Sequence, residues 1–355
     1  MTTKQAGLGL LGSLALGAIG VALLGRESRE PLPARRRMLG ALALPPPAPP
    51  PLERLRAWGA GTAPAGRLTR WLGLPPSPAV SRANRVQAAR RLNRSAGLLA
   101  SAVLLDSALE HYRGSFRNPA MYTPLGVSVL SLAAALHGTG DRRSGRHPFR
   151  TAIYAAATAT GLVGTGFHIY NIIRRPGGFV WQNLFYGAPI GAPMAISLAG
   201  LMGSAAEHVR DDRPGRAPRI FGLPAGRMLA ALSGAGILGT VGEVGLLHFR
   251  GAYHNPAMFL PVTMPPLASA LLLNTALGPA RRDRWFTRWW LRLTALLGFA
   301  GVGFHAYGVQ RNMGGWRNWS QNLLNGPPLP APPSFTGLAL AGLAALDLLE
   351  DEPHA

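Results

Sequence analysis

Long apolar stretches with little or no charge alternate with short arginine-bearing stretches along most of this chain. The apolar stretches fall at about 6–24, 96–112, 119–138, 151–171, 186–206, 227–248, 255–277, 289–308 and 333–349. A helix needs about 20 mostly apolar residues to cross the hydrocarbon core of a bilayer. Each stretch is near that length, so the pattern predicts nine membrane-crossing helices. Several are dense in Gly and Ala, which membrane helices tolerate because small residues let backbones approach closely.

One region breaks the pattern. Residues 25–95 contain PPPAPPP at 45–51, several arginines, Trp58 and Trp71. That composition reads as a flexible, proline-stiffened basic linker. Within it, 52–59 and 82–94 read as amphipathic helices lying on anionic lipid. The 6–24 stretch also has the look of a secretory signal. Cleavage there would leave the basic linker outside, against the charge pattern, so an uncleaved helix with its N-terminus outside is expected.

Arginine sets the orientation. Arg82, Arg85, Arg90, Arg91 and Arg94 precede the second span, and Arg142, Arg143, Arg146 and Arg150 lie between the third and fourth. Arg210, Arg213, Arg216 and Arg219 follow the fifth, and Arg281, Arg282, Arg284 and Arg288 follow the seventh. The intervening loops hold few. The positive-inside rule places the rich loops in the cytoplasm. The expected location is the inner (cytoplasmic) membrane, with the C-terminus in the cytoplasm.

The chain also repeats itself. HYRGSFRNPAMYTP at 111–124 matches HFRGAYHNPAMFLP at 248–261 in eight of fourteen positions, at an offset of 137. The same offset carries GLVGTGFHIYNIIRRPGG at 161–178 onto GFAGVGFHAYGVQRNMGG at 298–315. After a two-residue insertion, QNLFYGAPIGAP at 182–193 matches QNLLNGPPLPAP at 321–332. The expected fold is an all-α integral membrane protein. It is a tandem repeat of two four-helix transmembrane bundles, eight spans in all, plus an N-terminal transmembrane helix. The divisions are 1–25 (first helix), 26–95 (basic linker), 96–206 (repeat 1), 207–232 (cytoplasmic linker), 233–349 (repeat 2) and 350–355 (acidic tail). Four spans is an even number, so the two units run parallel about an axis along the membrane normal. The repeated motifs fall at the arginine-poor ends, hence on the outer, periplasmic face.

Composition narrows the chemistry. The net charge is +21, from 36 Lys plus Arg against 15 Asp plus Glu, yet only 14% of residues are charged and 48% are hydrophobic. A nucleic-acid binder of this charge would be polar throughout, so no nucleic-acid partner is expected. The chain has no cysteine, which excludes disulfides, thiolate metal sites and cysteine nucleophiles. Lys4 is the sole lysine, so a Schiff base in the main body is excluded as well.

The repeat singles out candidate residues. His111 and His248 end the first helix of each unit, and His168 and His305 lie near the outer end of the third. Membrane histidines often serve packing or the interface. Helices one and three of a four-helix bundle, however, face each other diagonally, and imidazoles from two such helices are the usual axial pair of a b-type haem. Gly161 and Gly164 share a helical face with His168, as Gly298 and Gly301 do with His305. Such a stripe leaves room for a flat macrocycle, or simply allows close helix packing. Arg113, Arg250, Arg174 and Arg311 recur in loops that hold few other arginines, and guanidinium groups suit haem propionates or an anionic substrate; solvated loop charges are the plain alternative. Asp106 and Glu243 each precede the first histidine by five residues and are candidates for a proton relay. Tyr170 and Tyr307 follow the second histidines, and Gln182-Asn183 and Gln321-Asn322 can bond a quinone carbonyl or cap the loop.

In helix number alone the chain resembles the quinone-reactive membrane subunits of the polysulfide-reductase type, which contain paired four-helix bundles; no residue carries over. The sequence thus points to a membrane electron-transfer subunit binding haem b, quinone or both near the outer face. Its expected partners are the lipid bilayer and other subunits of a membrane complex, such as a periplasmic dehydrogenase or cytochrome. A secondary transporter and a structural membrane anchor are the competing readings.

Overall fold

The computed structural model describes residues 80–211, 217–278 and 284–349. The expected first span at 6–24, the linker up to residue 79 and the acidic tail at 350–355 lie outside the described residues. Nearly everything described is helix. The chain runs through α1 (Arg82–Arg113), α2 (Thr123–Gly140), α3 (Pro148–Ile173), a short α4 (Trp181–Tyr186) and α5 (Gly191–Asp211). Two-residue strands β1 (Arg219–Ile220) and β2 (Leu223–Pro224) pair antiparallel through a tight turn. Then come α6 (Ala225–Arg250), α7 (Leu260–Leu277), α8 (Trp285–Arg311), a short α9 (Trp319–Asn325) and α10 (Pro333–Asp347).

The helix starts follow local chemistry. Ser81 caps α1, its hydroxyl accepting from the Asn84 N–H at 3.1 Å. Proline occupies the first turn of α2, α3, α7 and α10, where its missing N–H leaves no bond unmade. Threonines inside the helices return their hydroxyls to the preceding turn, as Thr158 does to Tyr154 and Thr294 to Trp290.

α1 and α3 each pack against both α2 and α5, so these four form a ring in which α1 and α3 are diagonal and meet through the Tyr154 hydroxyl, which donates to Asn93 Oδ1 at 2.6 Å. α6 and α8 likewise each pack against α7 and α10, and are again diagonal. α10 runs between the groups and also packs along α1. Asp347, at its end, pairs with Arg91 of α1 at 2.5 Å and Arg288 of α8 at 2.8 Å.

The interior combines leucines such as Leu92, Leu98, Leu229 and Leu272 with small residues and buried polar groups, while further large apolar side chains face outward. Gly161 lies against Ser197 and the Pro193 carbonyl, and Gly203 against the Tyr154 ring. On the outside, Leu162, Val163 and Phe167 of α3 are 63%, 60% and 56% exposed, whereas Arg150 and Glu207 inside have no exposed surface. In water this arrangement would leave apolar surface unburied; in lipid it is favourable, because helices there associate by close packing rather than by hiding hydrocarbon.

Among the described residues, three segments are long and apolar enough to cross a membrane: Pro119–Gly140, Ala225–Arg250 and Pro256–Leu277. The other long helices fall short by length and composition alone. α10 has only 15 residues, and α3 and α5 dilute their apolar residues with Gly, Ala, Ser and Thr. The division at residue 95 also shifts. Residues 82–94 form the first turns of α1 rather than a helix lying on lipid, and Ala88, Ala89 and Leu92 are fully buried. Their arginines gave the segment the look of a linker, but these groups have partners within the fold: the Arg90 Nε donates to the Thr139 carbonyl at 2.7 Å.

Candidate functional site

Each first-helix histidine is held by the chain that follows it. α1 is capped by Gly114, and the backbone turns through Ser115 (φ 56°) and Phe116 (φ 44°), both in the left-handed region. Asn118 then accepts from the Ala120 N–H at 3.0 Å and opens a 3₁₀ turn, Pro119–Tyr122. This reversal brings the Met121 carbonyl back to His111, whose Nδ1 donates to it at 2.7 Å. The second occurrence has the same construction. Gly251, Ala252 (φ 53°) and Tyr253 (φ 46°) make the turn, and Asn255 caps Pro256–Phe259. His248 Nδ1 donates to the Met258 carbonyl at 2.8 Å. An aromatic pair backs each ring. Phe116 stacks on Tyr122 with centroids 4.3 Å apart and stands edgewise to His111; Tyr253 stacks on Phe259 at 4.5 Å and stands edgewise to His248.

The third-helix histidines are held from the other side. His168 Nδ1 donates to the Pro189 carbonyl, and His305 Nδ1 to the Pro328 carbonyl at 2.6 Å. Both prolines lie in the segment leading into the fourth long helix of each group.

These bonds fix the tautomer. A carbonyl oxygen only accepts, so Nδ1 must carry the proton in all four rings. The Nε2 of each neutral imidazole is then left with a lone pair. A histidine that donates one ring N–H to a carbonyl and offers the other nitrogen is the usual form of a metal ligand. The same nitrogen can take a proton from a quinol hydroxyl; it cannot donate to a quinone carbonyl unless the ring is charged.

One of the two pairs expected from the sequence comes into ring contact. The ring centroids of His248 and His305 are 6.5 Å apart with planes at 64°. Two imidazoles ligating one metal from opposite sides, each bond about 2.0–2.1 Å, put their centroids roughly 6–6.5 Å apart. His168 is within electrostatic reach of His111. Among the described residues no group of three or more His, Asp or Glu side chains could hold a metal ion.

Other candidates lie elsewhere. A Cβ on Gly164 would stand 3.1 Å from the Pro193 Cβ, and one on Gly301 2.7 Å from the Pro332 Cβ. The glycine stripe therefore serves contact with α5 and α10 and does not open a face for a macrocycle. Arg113 pairs with Glu110 at 2.6 Å. Arg174 lies over Tyr170 at 5.7 Å and Arg311 over Tyr307 at 5.8 Å, while Arg250 lies over Phe185 and Tyr186. Asn183 donates to the Pro176 and Gly178 carbonyls, and Asn322 to those of Met313 and Gly315, so both staple their loops. Asp106 and Glu243 feel each other's charge, although they belong to different helix groups. Glu243 accepts from the Gly191 N–H that opens α5.

Two features escaped the sequence reading. Arg90 and Arg227, also 137 apart, play equivalent parts. Arg227 donates to the Ala276 and Gly278 carbonyls at 2.8 and 2.9 Å, sealing the end of α7 as Arg90 seals that of α2. The second is an ion network at the arginine-rich end of the first group. Arg150 binds Glu207 through two nitrogens, at 2.8 and 3.0 Å, and Asp141 at 2.9 Å. Arg210 donates to the carbonyls of Gly138, Asp141 and Arg143. Partial burial opposes the charge on Asp141, but the Arg143 N–H and the Arg150 guanidinium outweigh it and hold its carboxyl below the usual aspartate value.

This chain matches no family model, no curated protein and no solved structure.

Proposed function

We propose that this protein is a membrane-embedded electron-transfer subunit that binds b-type haem between the imidazoles of His111 and His168 and of His248 and His305. The observation that carries the reading is the paired geometry: four histidines, each with Nδ1 tied to a carbonyl and Nε2 left to ligate, one pair at the centroid separation of a bis-imidazole metal site. When bound, haem would supply one-electron chemistry. The chain would hold the imidazole planes, exclude water with the aromatic pairs beside His111 and His248, and offer Asp106 and Glu243 as proton carriers if quinol is the electron donor. In this proposal the two helix groups are parallel four-helix repeats spanning the inner membrane eight times, with the histidines near the periplasmic face. The redox partner is a periplasmic dehydrogenase or cytochrome.

The test is a reduced-minus-oxidised visible spectrum of the protein purified in detergent. The expected spectrum has Soret and α bands, and His305→Ala removes the contribution of one centre while leaving the other. A colourless preparation that reconstitutes no haem and retains no quinone would overturn the proposal and leave transport or anchoring as the reading.

A further inference from the structure

The histidine end of the molecule carries a charge that topology does not explain. Its four loops hold Arg113, Arg117, Arg174, Arg175, Arg250, Arg311 and Arg317, all exposed. Among the described residues Glu110 pairs with Arg113, and Asp106, deeper along α1, also feels the charge of Arg113. At the opposite end the carboxylates are matched with arginine: Asp141 and Glu207 with Arg150, Asp211 with Arg146, and Asp347 with Arg91 and Arg288. Positive residues are disfavoured in loops that must be translocated. Seven retained on this face, nearly unopposed, need a use.

The arginines are also arranged for contact. Arg174, Arg311 and Arg250 lie over aromatic rings. Stacking fixes the guanidinium plane and leaves its N–H fork for an anionic partner. Around them Phe179, Trp181 and Tyr186 are 63%, 58% and 66% exposed, and Met313 is 92% exposed. Arg, Tyr, Trp and Met are the residue types enriched in protein–protein interface centres. Lipid-directed basic patches answer the anionic cytoplasmic leaflet, which in the topology proposed above is on the other side.

We propose that this arginine–aromatic face is the docking surface for an acidic soluble redox protein. The proposal rests on the electron-transfer reading above. Complementary charge would orient the partner over the histidine pairs and raise its association rate, with strong dependence on salt.

The probes are an acidic and a basic soluble c-type cytochrome of similar size, with the full chain in nanodiscs of neutral lipid. Binding is followed by interferometry. The acidic cytochrome is expected to bind at low salt and weaken by about tenfold or more at physiological ionic strength. The basic cytochrome is expected not to bind. The combined charge reversal Arg117→Glu and Arg317→Glu should weaken binding by about tenfold or more and leave the visible spectrum and thermal midpoint unchanged. Binding of both cytochromes alike, no binding of the acidic one, or full binding by the reversed variant would overturn the proposal. So would native mass spectrometry showing anionic phospholipid held by these arginines in place of the cytochrome. Because binding is measured apart from colour, a protein that binds no haem still tests this surface.

Discussion

Arg150 has no exposed surface, and it meets two carboxylates, one of them equally buried. Removing one member of such a pair leaves the other charged and unsolvated, which typically destabilises by about 3–5 kcal/mol. Arg150→Leu should therefore lower the thermal midpoint in detergent far more than Arg150→Leu combined with Glu207→Leu. Equal losses in the single and double variants would show that the charge left behind is not the cause. Asp141 gives the same network a pH dependence. Its folded pKa lies below the ordinary value, so its contribution is fully present above that value and is lost as pH falls through the folded one. Thermal midpoints should drop on acidification below about pH 4, and Asp141→Asn should be less stable at neutral pH with a shallower acid-side fall. None of this was legible in the sequence. The repeat brings out residues that occur twice, such as the four histidines, and passes over those that occur once. Gly278 stands where Asp141 would recur, and Leu346 where Glu207 would.

Among the helices, small residues decide where backbones meet. A Cβ on Gly161 would lie 2.3 Å from the Ser197 Oγ and 2.4 Å from its backbone nitrogen. The second atom is main chain and cannot swing aside, so Gly161→Ala should push α3 from α5 and destabilise by about 1–3 kcal/mol. Gly166, on the same helix, has nothing within 4 Å of its Cβ position, and Gly166→Ala should be neutral or stabilising by up to about 1 kcal/mol. A thermal-shift comparison in one detergent checks both; equal effects would mean that α3 and α5 do not approach as described. The spacing of these glycines was plain in the sequence, but spacing alone does not say what lies against them. A macrocycle and a neighbouring helix ask for the same stripe, and only the placement of Pro193 and Pro332 decides between them. The start of α1 was hidden for a related reason. Arginine reads as solvent-facing until the acceptors it reaches are known, and Thr139 lies 49 residues from Arg90.

For the whole molecule, the question is how two similar helix groups sit in one membrane. Apolar runs and arginine clusters suggest eight spans within the described residues, while only three segments there qualify by length and composition alone. The shortfall has a physical basis. α10 is apolar along most of its length but has only 15 residues, and it is buried among other helices, where a short helix need not face lipid across the full bilayer. The parallel arrangement depends on each unit crossing an even number of times, and the absence of cysteine makes that testable without background. Ser115→Cys lies in the loop after α1, Ala252→Cys in the matching loop after α6, and Ser144→Cys between α2 and α3, all at exposed positions. An impermeant maleimide added to intact spheroplasts should label the first two and spare the third until the membrane is opened. Opposite accessibility at 115 and 252 would make the units inverted rather than parallel and would put the two histidine pairs on different faces. A single docking face over both pairs would then be impossible, so this labelling pattern is the condition on which the redox reading and the docking proposal jointly depend.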